Sequence, residues 1–210
     1  MTKVAQSKVI VYIDGENLLH RVEEVLVAAK LIKSKTDITA FGISWPLRQV
    51  VPEYSDIEIR YYGTKLKLRG ITDAQLRAKA ERMVEAQRRL KRSFSRQGVE
   101  FVASGNLRLR DGVACRKCGH QEAIFQEKGV DVRLATDLLW ESKKGETRVL
   151  VSSDSDLLPA VRASREVGTT VVYLSFTKSV NRALAAATDK LKTYSADQVI
   201  EAFAQAKGVN

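Results

Sequence analysis

The chain has 210 residues, enough to bury a core without disulfides, and its two cysteines, Cys115 and Cys118, lie too close together to brace a fold. Thirty-five Lys and Arg against 25 Asp and Glu leave a formal charge of +10, which favours a polyanionic partner. No apolar N-terminal segment resembles a signal peptide or a span, so a cytoplasmic protein with no membrane partner is expected.

Lys8 to Ile13 (KVIVYI) reads as a β-strand, followed by the turn-prone DGEN and a helical pattern from about Leu18 into Ala29. Ser34 to Pro52 has weak periodicity and carries Trp45 and Pro46, which marks an excursion suited to a lid or packing element. Ile57 to Tyr62 is a second strand. Leu76 to Gln97 then holds eight Lys or Arg and only two Glu, with apolar residues at helical spacing, and predicts an amphipathic helix with a positive face.

Val99 to Ala103 is a third strand. Val132 to Trp140 is a helix for which Asp131 is the expected cap. Arg148 to Val151 is the fourth and most apolar strand, and Leu157 to Glu166 is its helix, entered through Pro159 in the first turn, where a missing donor costs little. Thr169 to Leu174 is a fifth strand, Val180 to Ala187 a short helix, and Leu191 to Val209 adds a terminal strand and helix. Strands alternating with helices predict an α/β fold, a three-layer α/β/α sandwich with a central, mainly parallel sheet. The expected division is a domain over residues 1–190, with inserts near 30–55 and 104–128, and a short C-terminal extension over 191–210 packed on it.

Ligands of open parallel sheets bind outside the carboxyl ends of the strands. Asp14 follows the first strand, Asp154 and Asp156 follow the fourth, and Asp131 opens the helix before it, so all four can converge on one rim. Each also suits a cap or turn. Gathered together, unpaired carboxylates repel one another, and a hard divalent cation such as Mg²⁺ or Mn²⁺ reverses that penalty. Asn17 is placed to orient a metal-bound water or a phosphate, or to stabilise a turn. Ser152 and Ser153 suit phosphate, the outer metal shell or the strand-end turn, and Lys128 suits a phosphate or a plain surface. Asp137 lies six residues past Asp131, off its helical face, and reads as a supporting or structural residue.

A hard-metal rim beside a basic surface implies a phosphodiester substrate, with metal-prepared water as nucleophile and Asp131 or Asp154 orienting or deprotonating it. The expected nucleic-acid contacts are Lys65, Lys67 and Arg69, then Arg88, Arg89, Lys91 and Arg92 on the basic helix, with Arg110 and Lys117 in the insert.

Three segments, YIDGENLLH from Tyr12, EKGVDVRLATDLL from Glu127 and VLVSSDSDLLPAV from Val149, resemble the signature blocks of the NYN domain, the LabA-like branch of the PIN-like nuclease superfamily. The similarity spans roughly Lys8 to Ala187. The resemblance implies a compact α/β/α sandwich and a metal-dependent ribonuclease, with RNA, single-stranded, as partner. It places the acidic site on Asp14, Asp131, Asp154 and Asp156, with Asn17 from the first block, Lys128 fitting the second, and Asp137 a weaker correspondence. Ser153 stands where a glycine is often seen, and Leu157 where an aromatic residue is common. Neither departure removes an acidic ligand.

The segment CRKCGH offers Cys115, Cys118 and His120 as part of a Zn²⁺ site that lacks its fourth ligand; an acid, a homodimer partner, a reduced thiol pair or redox behaviour are the alternatives. No Walker or dinucleotide glycine motif is present. The competing functions are a non-catalytic RNA-binding or regulatory module with a bound divalent metal, and a phosphatase or nucleotide hydrolase.

Overall fold

The structure, a computed structural model, describes residues 8–43, 57–65, 71, 73–111, 117–119 and 123–207. Strand β1 (Val9–Asp14) leads directly into helix α1 (Gly15–Ala28), and β2 (Ile57–Lys65) is followed by the long helix α2 (Ala74–Arg96). Next come β3 (Val99–Asp111), β4 (Ala123–Lys128), α3 (Val130–Trp140) and β5 (Thr147–Val151). A 3-10 turn at Ser155–Leu157 opens α4 (Leu158–Glu166), and β6 (Thr170–Phe176), α5 (Arg182–Ala187), β7 (Lys190–Tyr194) and α6 (Ala196–Lys207) complete the described chain.

The seven strands form one sheet in the order β4-β3-β2-β1-β5-β6-β7. Six are parallel, and only the edge strand β4 runs antiparallel, on β3. Alternation along β1 explains the layers. Val9, Val11 and Ile13 face one side, where they meet residues of α1, α2 and α6 such as Val22, Phe94 and Val199. Ile10 and Tyr12 face the other side, where α3, α4 and α5 bring Leu134, Val161 and Leu184. Every residue of β5 is buried, as its unbroken apolar run requires between two helical layers.

β1 pairs with β2 on one side and β5 on the other, which sets Asp14 opposite Tyr62 and Ile13 opposite Val151. The first and fourth predicted strands are therefore neighbours, and their exits meet at one rim.

Three local expectations change. DGEN is not a turn before the helix but its first turn: Asp14 caps α1, so the helix begins at Gly15. Asp131 is not the cap of α3. Gly129 takes that position at φ +89°, a left-handed conformation that turns β4 straight into the helix, and Asp131 lies inside the first turn, where a carboxylate complements the helix dipole. The third strand runs eight residues further than Ala103, to Asp111, and the insert supplies its antiparallel partner β4.

Charges at the amino ends of the strands are paired. Lys8 reaches Glu58 at 2.8 Å, Arg60 bonds Glu141 at 2.7 Å, and the buried Arg148 bonds Glu146 at 2.5 Å. The carboxyl ends differ.

Candidate acidic site

Asp14 is both the end of β1 and the cap of α1. Its Oδ1 accepts the Asn17 backbone N–H at 3.1 Å, and its Oδ2 accepts the Ser152 hydroxyl at 2.8 Å. Ser152 is buried at the exit of β5 and also accepts the Asp154 N–H at 3.1 Å, so one hydroxyl joins the two strand ends. The Asn17 side chain completes the link by accepting the Ser153 N–H through Oδ1 at 3.2 Å. Asp154 Oδ1 in turn accepts the Asp156 N–H at 2.9 Å and caps the 3-10 turn. Asp156 and Asp131 are exposed, and Asp154 is half-buried.

This geometry costs Asp14 part of its acidity. Burial pushes its pKa up from the ordinary aspartate value, the Asn17 and Ser152 bonds hold it down, and the charges of Asp154 and Asp131 push it up again. Three carboxylates thus share one field. Among the described residues, Asp14, Asp131, Asp154 and Asp156 form no ion pair with Lys, Arg or His, whereas the carboxylates at the opposite end of the sheet do. Yet among the described residues no group of three or more His, Cys, Asp or Glu stands close enough together to hold a metal ion. The donor chemistry suits a hard cation, and the spacing is that of an open rim.

Asp137 is committed elsewhere. It accepts the Tyr62 hydroxyl at 3.0 Å and Arg133 Nε at 2.8 Å. Burial keeps that tyrosine protonated and donating. Lys128 ends β4 with an exposed side chain next to Gly129.

Two residues escaped the sequence reading. Asn181 Nδ2 donates to the Ser153 carbonyl at 3.0 Å while its Oδ1 caps α5 through the Ala183 and Leu184 N–H groups, so it ties α5 to the acidic loop. The helix expected from Val180 to Ala187 placed Asn181 inside it; the helix instead begins at Arg182 with Asn181 as its cap. Gly15 is the other. A Cβ there would stand 2.4 Å from both Tyr61 Cζ and the Tyr62 carbonyl, so the end of β2 and the start of α1 touch only because the residue is glycine.

A family profile for the NYN domain matches residues 8–195, from the start of β1 past the end of β7. The chain belongs to the NYN domain family. This places it in the PIN-like superfamily and supports a nuclease-type function in general. A crystal structure of a protein of unknown function from Vibrio parahaemolyticus is similar in fold, with a TM-score of 0.52, 15% identity, and coverage of 92% of this chain and 96% of that one. No curated protein matches the chain.

Lys65, at the end of β2, and Arg88, Arg89, Lys91 and Arg92 on α2 are exposed, as is Lys117 in the connection between β3 and β4. Gln87 bonds the Thr64 carbonyl and Phe94 packs on Tyr61, so Arg88 to Arg92 run alongside the carboxyl end of β2, the strand that ends beside Asp14. Lys67 and Arg69 lie outside the described residues; Arg110 is in β3, and its side chain lies outside them.

The zinc expectation is corrected. Cys118 is a free, exposed cysteine, and among the described residues no metal-holding cluster includes it. Two thiols with one histidine never supplied the four ligands that a closed zinc site needs. Cys115 and His120 lie outside the described residues. No helix among the described residues is long and apolar enough to cross a membrane.

Proposed function

We propose that this NYN domain is a metal-dependent ribonuclease of the LabA-like branch that hydrolyses RNA phosphodiester bonds. The observation that carries the reading is geometric: Ser152 and Asn17 tie the Asp14 carboxylate to the Asp154 loop, and among the described residues none of these carboxylates is paired with a basic side chain. In a chain of charge +10, aspartates left without a basic partner among the described residues are a specific arrangement, and a divalent cation is the natural complement.

Asp14 and Asp154, joined through Ser152, would hold that cation with waters completing its shell, and Asp131 and Asp156 would stand at the exposed edge. When bound, it would lower the pKa of water and neutralise charge on the phosphate. The remaining work belongs to the chain. Ser152 and the Asn17 N–H fix both oxygens of Asp14, which keeps the carboxylate from turning as substrate arrives. Asn17 Oδ1 is held by the Ser153 N–H, which leaves its amide Nδ2 as the donor for a phosphate oxygen. Asp131, exposed in the first turn of α3, would take the proton of the attacking water, and Lys128 would meet a flanking phosphate. Asp137 accepts the Tyr62 hydroxyl, which would fix α3 against β2, a positioning role, while Arg133 on the same helix holds the carboxylate. The exposed cations of α2 would carry the RNA backbone, a contact that reads charge more than sequence.

The open spacing of the acidic residues favours a second reading, a non-catalytic RNA-binding module. Incubating end-labelled single-stranded RNA, structured RNA and matched DNA with the protein in Mg²⁺, Mn²⁺ or chelator separates the two. Metal-dependent RNA cleavage supports the nuclease, and tight binding with every substrate intact supports the module.

A further inference from the structure

A cavity of about 380 Å³ opens between α1, α2, the carboxyl end of β2 and Phe101 near the start of β3, at the small end of the roughly 300–1,000 Å³ range of ligand sites. Its walls are mostly apolar and aromatic, with Tyr61, Phe101 and Phe125 joined by Leu19 and Met83. Tyr61 and Phe101 are stacked at 5.4 Å, and Lys91 lies 5.2 Å above the Phe101 ring, so a cation sits beside the aromatic wall. One polar group has a fixed orientation. Gln87 donates from Nε2 to the Thr64 carbonyl at 2.8 Å, which makes Oε1 the acceptor that the amide can offer a ligand. A Glu16–Lys35 ion pair stands at the edge and, with the Lys35 N–H donated to Glu23 at 2.7 Å, fixes a second 3-10 turn, Lys35–Asp37, that forms one wall.

The cavity adjoins the acidic rim through two chain segments. Glu16 lies two residues after Asp14, and Gly63 follows Tyr62, the residue opposite Asp14 in the sheet. Arg88, Arg89 and Arg92 project from the helix whose Met83, Ala86 and Gln87 line the interior. An apolar cavity, one oriented acceptor and a cationic border therefore lie along the same carboxyl edge of the sheet as Asp14. Single-stranded RNA is held by that combination: backbone on cations, splayed base against aromatic rings, base edge on a polar side chain.

We propose that this cavity receives one nucleobase flanking the scissile phosphate, and that Gln87 Oε1 accepts a hydrogen bond from an N–H on the edge of that base. This rests on the ribonuclease reading for its place in the reaction, but base binding is measurable without cleavage. Calorimetry on the full chain in chelator, with adenosine, cytidine and uridine monophosphates as probes, reads it directly. All three monophosphates should bind wild type, since each base carries an edge N–H. Ala86→Phe, which fills the cavity, should abolish binding, and Gln87→Leu should weaken it several-fold for each. In cleavage, an abasic nucleotide at one position beside the scissile bond should raise KM several-fold for wild type and leave Ala86→Phe unaffected. Absence of monophosphate binding to wild type, or Ala86→Phe binding as tightly as wild type, overturns the pocket. Monophosphate binding with no RNA cleavage in any metal supports the pocket and overturns the nuclease reading alone.

Discussion

Ser152 at the exit of β5 donates its hydroxyl to Asp14 at the exit of β1, 2.8 Å away, and accepts the Asp154 N–H with the same oxygen. One buried hydroxyl thus registers two acidic loops from neighbouring strands. Ser152→Ala removes a donor from a carboxylate and an acceptor from a backbone amide, which costs about 1–3 kcal/mol. Urea unfolding should show that loss, and RNA hydrolysis should fall more than tenfold as Asp14 and Asp154 lose their common anchor.

Asp14 itself opposes stability. Its folded pKa is raised, so the folded state binds its proton more tightly than the unfolded chain does. Stability therefore falls as pH rises from the ordinary aspartate value, about 3.9, through the raised folded value, and stays lower above it. Asp14→Asn keeps the Oδ1 acceptor and removes the charge. In chelator at pH 7 its melting temperature should equal or exceed that of wild type, and the difference should close as pH approaches about 4. Added Mg²⁺ or Mn²⁺ should raise the wild-type melting temperature and leave the variant unchanged.

Gly15→Ala tests the contact between the acidic turn and β2. The new methyl would stand 2.4 Å from the Tyr62 carbonyl, a backbone atom that no rotamer change moves away. A loss of about 1–3 kcal/mol is expected. Because the shift passes through Asp14, hydrolysis should fall further than thermal unfolding alone explains.

On α2, Arg88 and Arg92 are exposed one turn apart beside the end of β2. The double variant Arg88→Glu, Arg92→Glu should weaken RNA binding uniformly across sequences. The slope of log affinity against log salt should drop by about 0.7 for each phosphate that is no longer neutralised. Fluorescence anisotropy over a salt series measures both.

Much of this was legible in the sequence because strand and helix periods alternate cleanly. KVIVYI, IEIRYY and the apolar run ending at Val151 each became a parallel strand, and the three motif blocks led to the family that the profile match shows. The β3 extension falls in the stretch taken as an insert near 104–128, although Leu107 and Leu109 alternate with Arg108 and Arg110 at the period of a strand. Asp131 was assigned a cap because aspartate favours that position; the left-handed Gly129 one step earlier took it instead. Asn181 and Gly15 act through contacts between segments far apart in sequence, which periodicity does not carry. The spacing between acidic side chains is likewise tertiary, so the sequence pointed to their convergence and not to the open rim they form.

The most direct test of the central claim is cleavage of end-labelled single-stranded RNA by wild type and by Asp154→Asn, in Mn²⁺, Mg²⁺ and chelator, after both are shown to fold and to bind the RNA. The account predicts cleavage by wild type in metal alone, abolished in Asp154→Asn and absent in chelator. Cleavage that persists in chelator or in the variant, or RNA that wild type binds and leaves intact in every metal, would contradict it.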